Sequence, residues 1–149
     1  RQMRLFPDFA GWAHSSTRCI YGFKLHLAIN GAGKIVAFRF TNGARHDVKE
    51  AEKLLKNCTG AAIGDRGYCS QSLRERLSKR GLRFIAHGRR NMKAGNTNEE
   101  KVLLRRRNLV ERIIEKLKRH ISDSFSRFRA WGTIQATIMF GILILNLGL

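Results

Sequence analysis

The chain has 149 residues, of which 43% are hydrophobic, so it can form one folded domain with a core, and low-complexity disorder is not expected. Its 29 Lys and Arg residues outnumber the 11 Asp and Glu residues, and the formal net charge of +18 favours a polyanionic partner, nucleic acid first and an anionic membrane surface second. The three cysteines lack zinc-site spacing, and their odd number fits a reducing cytosol better than a disulfide framework.

The first part of the chain is predicted to form a hairpin followed by a helix. Residues 1–20 show no regular period and are interpreted as irregular. Two antiparallel strands are predicted around the turn sequence 30–33, from apolar residues at alternate positions: Phe23, Leu25, Leu27 and Ile29, then Val36, Phe38 and Phe40. Asp47 is predicted to begin a helix that ends near Leu55, with Glu50 completing a capping box.

Strands and helices are predicted to alternate through the next part of the chain. The apolar run 61–63 is too short for a helix and fits a buried strand that leads directly into Asp65. Ser70 is expected to cap a helix that stops at Gly81, and residues 82–86 form another short strand.

The last part of the chain is predicted to be helical. A polar, basic loop at 87–98 precedes a long helix from about Glu99 to His120. Residues 130–149 carry no charged side chain, and we favour a helix packed against the sheet over a membrane span because Asn146 and three other polar residues dilute the apolar character. The order of elements predicts an α/β domain with a mixed sheet flanked by helices.

Three acidic residues are candidates for a catalytic site, each with a structural alternative. Asp65 follows a strand, where sites of α/β proteins tend to form, but a turn residue that binds its own backbone is the alternative. Glu111 lies on the flank of an apolar helix stripe, and a solvated glutamate is its alternative. For Asp47 a helix-capping role is favoured.

Basic residues accompany these carboxylates. On a continuous helix, Arg107, Glu111 and Lys118 would fall within roughly a 60° arc of one face. Asp65 and Glu111 are hard oxygen ligands suited to Mg²⁺ or Mn²⁺, although two carboxylates are few for two ions. The loop that contains Arg89, Arg90 and Lys93 is a candidate surface for phosphate contacts.

Several motifs, taken in order, resemble the catalytic domain of bacterial insertion-sequence DDE transposases, which are relatives of retroviral integrases with a ribonuclease-H-like fold. Four of them are the segments 21–26, 44–47, 64–68 and 89–93. The last is a Tyr-x2-Arg-x3-Glu-x6-Lys signature, matched at Arg107, Glu111 and Lys118, with Leu104 in the place of tyrosine.

The resemblance implies a function for these residues. Asp65 and Glu111 would bind Mg²⁺ or Mn²⁺, while Arg107 and Lys118, together with the basic stretch 89–93, would contact DNA. The implied reaction is DNA cleavage and strand transfer in the cytoplasm, at the nucleoid, with insertion-sequence ends and target DNA as partners and a homodimer on the DNA.

One departure from the family pattern lowers the catalytic activity that is expected of this chain, down to an inactive form. The first aspartate of the family lies on a central strand before the hairpin, and no acidic residue here is counted as its match. We therefore expect a single truncated domain over residues 1–149, without its first, central strand and with an incomplete ligand set. The alternatives are a non-catalytic, basic nucleic-acid-binding protein and a basic membrane-tethered protein.

Overall fold

The structure is a computed structural model that describes residues 9–14, 19–87, 96–121 and 130–148. The chain divides into two compact units, a first unit of Arg1–Arg45 with Val110–Leu149 and a second unit of His46–Leu109. Strands and helices occur in both, so the predicted mixture of α and β structure is confirmed. The described strands form one three-stranded and one two-stranded sheet, however, and not the single mixed sheet that was expected.

The sheet of the first unit is antiparallel and has the order β1-β2-β3: β1 (Gly11–His14), β2 (Cys19–Ile29) and β3 (Ile35–Asn42). The interpretation of residues 1–20 as irregular is therefore wrong for β1 and for the first two residues of β2. This strand is held by a contact far along the chain, because the Asn42 side chain donates a hydrogen bond of 2.8 Å to the Ala10 carbonyl. A Cβ on Gly11 would lie 1.9 Å from Asn42 Oδ1, so glycine is required for this close approach.

The predicted hairpin is confirmed, with one irregularity. Leu27 pairs with Phe38, but the register shifts after Ala28 so that Ile29 pairs with Ile35. Such a bulge moves the following side chains to the other face of the sheet. As a result Ile35 is buried and Val36 is 54% exposed, which is the reverse of the alternation predicted for the start of β3. Phe38 and Phe40 pack against the core as predicted.

The core of the first unit lies between this sheet and two helices, α4 (Asn108–Ile121) and α5 (Trp131–Leu147). The Trp131 ring packs edge-on against Phe23 and Phe40, at centroid distances of 4.9 and 5.7 Å. Burial of each large aliphatic side chain stabilises a fold by about 1.5–3 kcal/mol. The buried members of this cluster are Ile35, Leu117, Ile121, Ile134, Ile138 and Ile142.

The uncharged C-terminal segment packs as expected, since α5 buries one of its faces in this core. Gly141 permits the contact with α4, because a Cβ there would stand 3.0 Å from Leu117 Cδ1. The polar Asn146 has a specific partner: its amide accepts a 2.8 Å hydrogen bond from Ile35 N and donates one of 2.9 Å to Ile35 O. Among the described residues, no helix combines the length and the apolar character that a membrane crossing needs.

The second unit contains a parallel pair of strands, β4 (Gly60–Gly64) and β5 (Leu82–Ala86), connected through α2 (Gln71–Ser78). Both strands and the capped helix were predicted from the sequence, but β4 is not the buried strand that was expected, because its residues are exposed or half-buried. Ser70 Oγ accepts a hydrogen bond of 3.3 Å from Leu73 N, and Leu73 and Leu77 are fully buried. A helix that joins two adjacent parallel strands places the carboxyl ends of both strands on the same edge.

Two details of the predicted helices are wrong. The helix α1 (Asp47–Leu54) has His46 as its N-cap residue, with no side-chain cap, and Glu50 is 1% exposed rather than part of a capping box. The long helix is divided into α3 (Asn98–Arg105) and α4. The backbone N–H of Arg107 bonds to Leu104 O, three residues back, which closes the end of α3. The break falls where the chain passes from the core of the second unit to that of the first.

The start of α3 has the capping box that α1 lacks. Thr97 Oγ1 accepts from Glu100 N, and the Glu100 carboxylate accepts from Thr97 N, with distances of 3.2 Å for both. Burial opposes the ionisation of Glu100, but hydrogen bonds from Asn96 and Thr97 and the nearby guanidinium groups of Arg74 and Arg83 outweigh it. The pKa of Glu100 is therefore below its ordinary value.

Candidate active site

Asp65 follows the last residue of β4, at the carboxyl end of a parallel strand. Its carboxylate Oδ1 accepts a 2.7 Å hydrogen bond from Arg66 N, which caps the single 3-10 turn Arg66–Tyr68. The alternative, that Asp65 binds its own backbone in a turn, thus describes part of its environment. Its side chain is nevertheless 61% exposed, so the carboxylate is also accessible to a ligand.

The glycine before Asp65 is needed to place it. A Cβ on Gly64 would stand 2.6 Å from Phe84 Cζ and 3.3 Å from Tyr68 Cβ. A larger residue would force β4 away from the Phe84 ring of β5, because aromatic carbon atoms cannot approach so closely. Gly64 therefore lets β4 pack closely against β5, and the next residue, Asp65, presents its carboxylate to solvent.

Arg107 forms an ion pair with Asp65, although 42 residues separate them in the chain. Arg107 Nη1 donates to Asp65 Oδ1 at 2.5 Å. The structure thus brings together two of the predicted site residues. Arg107 lies in the turn between α3 and α4, so the predicted helical face shared by Arg107, Glu111 and Lys118 is wrong for its first member.

Glu111 and Lys118, the other two residues of the predicted face, lie on α4 and belong to the first unit. Glu111 and Lys118 are both exposed and are seven residues apart, or about two helical turns, so they share one face. That Glu111 converges with Asp65 on one metal ion stays a prediction. The predicted DNA contacts Arg89, Arg90 and Lys93 lie outside the described residues.

Asp47 is a second carboxylate near the Asp65 turn, and sequence reasoning had assigned it to helix capping. It is the first residue of α1, and its Oδ2 lies 3.1 Å from the position that a Cβ on Gly67 would occupy. Burial raises the pKa of the Tyr68 phenol to about 12, and the charges of Asp47 and Asp65 add to the effect. Both carboxylates therefore act on one phenol.

The structure frees Asp47 from the predicted capping role, since the residue before it, His46, is the N-cap of α1. The carboxylate of a first-turn residue is not required for the cap hydrogen bond and is stabilised by the helix dipole. Within the described segments, no group of three or more His, Cys, Asp or Glu side chains is arranged to hold a metal ion. The second unit by itself offers the pair Asp47 and Asp65, whose charges both act on Tyr68.

Comparison with known proteins identifies the family. A family model described as "Transposase DDE domain" matches residues 1–131. Neither the curated proteins nor the solved structures gave a significant match. The family match covers the hairpin, the Asp65 turn and the Arg107, Glu111 and Lys118 register. Because it spans most of the 149 residues, the chain belongs to the transposase DDE domain family, the DDE transposases of insertion sequences.

Proposed function

We propose that this chain is part of the catalytic domain for metal-dependent DNA cleavage and strand transfer, with Asp65 and Glu111 as two of the ligands of Mg²⁺ or Mn²⁺. Family membership supports the reaction class. The observation that carries the assignment is the accessible Asp65 carboxylate at the end of a parallel strand, held by the Arg66 N–H and paired with the Arg107 guanidinium. Sites of α/β proteins form at this end of their strands.

The chemistry of the donor groups fits a hard divalent ion. Mg²⁺ prefers carboxylate oxygens, keeps several water molecules and is often held by only one or two protein carboxylates. Asp65 supplies one such group, Glu111 is proposed as the second, and Asp47 lies close enough to the same turn to influence Tyr68. When bound, a divalent ion would activate the attacking oxygen and stabilise the leaving oxygen of the phosphodiester.

The protein groups would position the DNA and hold the carboxylates. The Arg66 N–H fixes the orientation of Asp65, since a carboxylate with one anchored oxygen has fewer accessible rotamers. Lys118 and the predicted contacts Arg89, Arg90 and Lys93 would bind phosphate oxygens as cations. The net charge of +18 supplies sequence-independent affinity for DNA.

A ribonuclease-H-like arrangement over residues 1–149 is part of this proposal. Two observations support it: the antiparallel β2–β3 hairpin, and the parallel β4–β5 pair joined through a helix. Both are expected components of such a fold. The expectation that the family's first, central strand is lacking stays a prediction.

The proposal is tested by a nicking assay on terminal-repeat DNA with Mn²⁺. Asp65→Asn and Glu111→Gln should each abolish nicking while leaving the fold intact by circular dichroism. Glu115→Gln, on the same helix as Glu111, and Glu99→Gln, in the first turn of α3, remove equivalent exposed charges and should nick normally. Equal nicking by all four variants would refute the assignment of the carboxylates.

DNA binding is measured separately from catalysis. The affinity should fall steeply with salt concentration because each neutralised phosphate releases counterions. Strong, salt-dependent binding without nicking in any protein would favour the alternative of a non-catalytic DNA-binding protein. A homodimer on the DNA is also part of the proposal, and light scattering of the complex with an end duplex tests it.

A further inference from the structure

The ion pair between Arg107 and Asp65 joins a proposed DNA contact to a proposed metal ligand. We infer that Arg107 is a switch that couples the two binding events: its guanidinium and a divalent ion compete for the Asp65 carboxylate, and a DNA phosphate draws the guanidinium away. This inference rests on the proposed function, because it takes Asp65 to be a metal ligand. Its consequence is that metal and DNA strengthen each other's binding.

The positions of Arg107 and Asp65 allow a metal ion to replace the guanidinium at the carboxylate. Arg107 Nη1 lies 2.5 Å from Asp65 Oδ1, and the same oxygen accepts the Arg66 N–H at 2.7 Å. The side chains of Arg107 and Asp65 are 31% and 61% exposed, so water and ligands reach both. Arg107 stands in the turn between α3 and α4.

The two cations compete for this oxygen. A divalent ion on Asp65 Oδ1 would stand within a few ångströms of a guanidinium that already occupies the same atom, and like charges repel each other. A released guanidinium is well suited to a phosphate, which it binds through two parallel hydrogen bonds. DNA at the site would therefore lower the cost of freeing Asp65 for the metal.

The exposed position of the pair sets the size of the effect. Exposed ion pairs stabilise proteins only modestly, so their removal should improve metal affinity by about two- to fivefold. By linkage, the factor by which DNA raises metal affinity must equal the factor by which metal raises DNA affinity. A purely structural role for Arg107 predicts neither change, because it would affect only the stability of the α3–α4 turn.

The experiment measures binding of Mn²⁺ to the full chain by electron paramagnetic resonance of the free ion. Without DNA, Arg107→Ala should bind Mn²⁺ about two- to fivefold more tightly than the parent protein. Arg106→Ala is the matched control, since it removes the same charge from the neighbouring, exposed position of the same turn and should leave Mn²⁺ affinity unchanged. Arg107→Gln serves as a second variant if circular dichroism shows that Arg107→Ala is poorly folded.

The coupling is measured with a short terminal-repeat duplex. In the parent protein the duplex should raise Mn²⁺ affinity, and Mn²⁺ should raise duplex affinity in fluorescence anisotropy by the same factor. In Arg107→Ala both factors should be smaller, because only the direct attraction between the ion and the phosphates remains. Equal coupling in the two proteins, or no gain in Mn²⁺ affinity, would overturn the switch. Asp65→Asn separates the hypotheses: if it leaves Mn²⁺ affinity unchanged, the proposed metal ligand is wrong, whereas weaker binding with no Arg107 effect refutes only the switch.

Discussion

Asn146 should stabilise the first unit through two hydrogen bonds to the backbone at the start of β3. Its amide bonds both Ile35 N and Ile35 O, at 2.8 and 2.9 Å, across 111 residues of sequence. A typical hydrogen bond contributes about 1 kcal/mol net, so Asn146→Ala should lower the free energy of unfolding by about 2 kcal/mol. For a chain of this size that loss corresponds to a fall in melting temperature of about 4–8 °C.

Tryptophan fluorescence during urea unfolding is a suitable assay, because both tryptophans, Trp12 and Trp131, belong to the first unit. Asn146→Leu approximately preserves the side-chain volume and should lose the same stability, which separates hydrogen bonding from packing. Thr133→Ala removes a polar group from an exposed position of the same helix and should change stability by less than about 0.5 kcal/mol. If Asn146→Ala were as stable as Thr133→Ala, the two hydrogen bonds would not support the fold as argued.

Tyr21→Phe leaves Tyr68 as the one tyrosine of the chain, and ultraviolet titration of this protein should show Tyr68 ionising near pH 12. The free energy of unfolding should fall as the pH rises from 10.0 towards 12, because the folded state favours the neutral phenol. Ionisation of Tyr68 at the ordinary pKa would contradict its burial. Glu100→Gln should lower the free energy of unfolding at neutral pH, because the folded state stabilises the Glu100 carboxylate. This loss should shrink as the pH falls below 4.5 and then below the lowered pKa of Glu100 in the folded protein. A loss in urea unfolding that does not change with pH would contradict the stabilised carboxylate. Gly141→Leu should lower the free energy of unfolding by about 1–3 kcal/mol, because the larger side chain overpacks against α4. Gly132→Ala lies in open space and should raise the free energy of unfolding by up to about 1 kcal/mol, as measured by thermal unfolding. Equal effects of the two substitutions would refute the close helix contact.

Much of the secondary structure was predictable because it depends on neighbours in the chain. The alternation at 23–29 marks a strand, and Ser70 caps the helix that follows it. The apolar run 61–63 is too short for a helix and forms a strand, although none of its residues is buried. The placement of Asp65 at the end of β4 followed from the same local pattern. Its catalytic role is a separate matter and stays a proposal.

The errors share a different cause, namely contacts made far along the chain. Strand β1 depends on the Asn42 side chain and on the absence of a side chain at Gly11. The bulge that exposes Val36 depends on the pairing of Ile29 with Ile35, and periodicity within one strand does not contain that information. The break before α4 occurs although the apolar spacing continues across it, since the two helices bury their residues in different cores.

The sequence by itself determined the charge, most of the helices and strands, the family motifs and the candidate residues of the site. These properties follow from composition and from residues within a few positions of one another. Only the tertiary structure decided that Arg107 pairs with Asp65 and that Asn146 binds the start of β3, because such contacts depend on how distant segments approach. A hydrogen bond requires its donor and acceptor atoms to lie about 3 Å apart. The number of residues between two side chains does not specify how closely they approach in the folded chain.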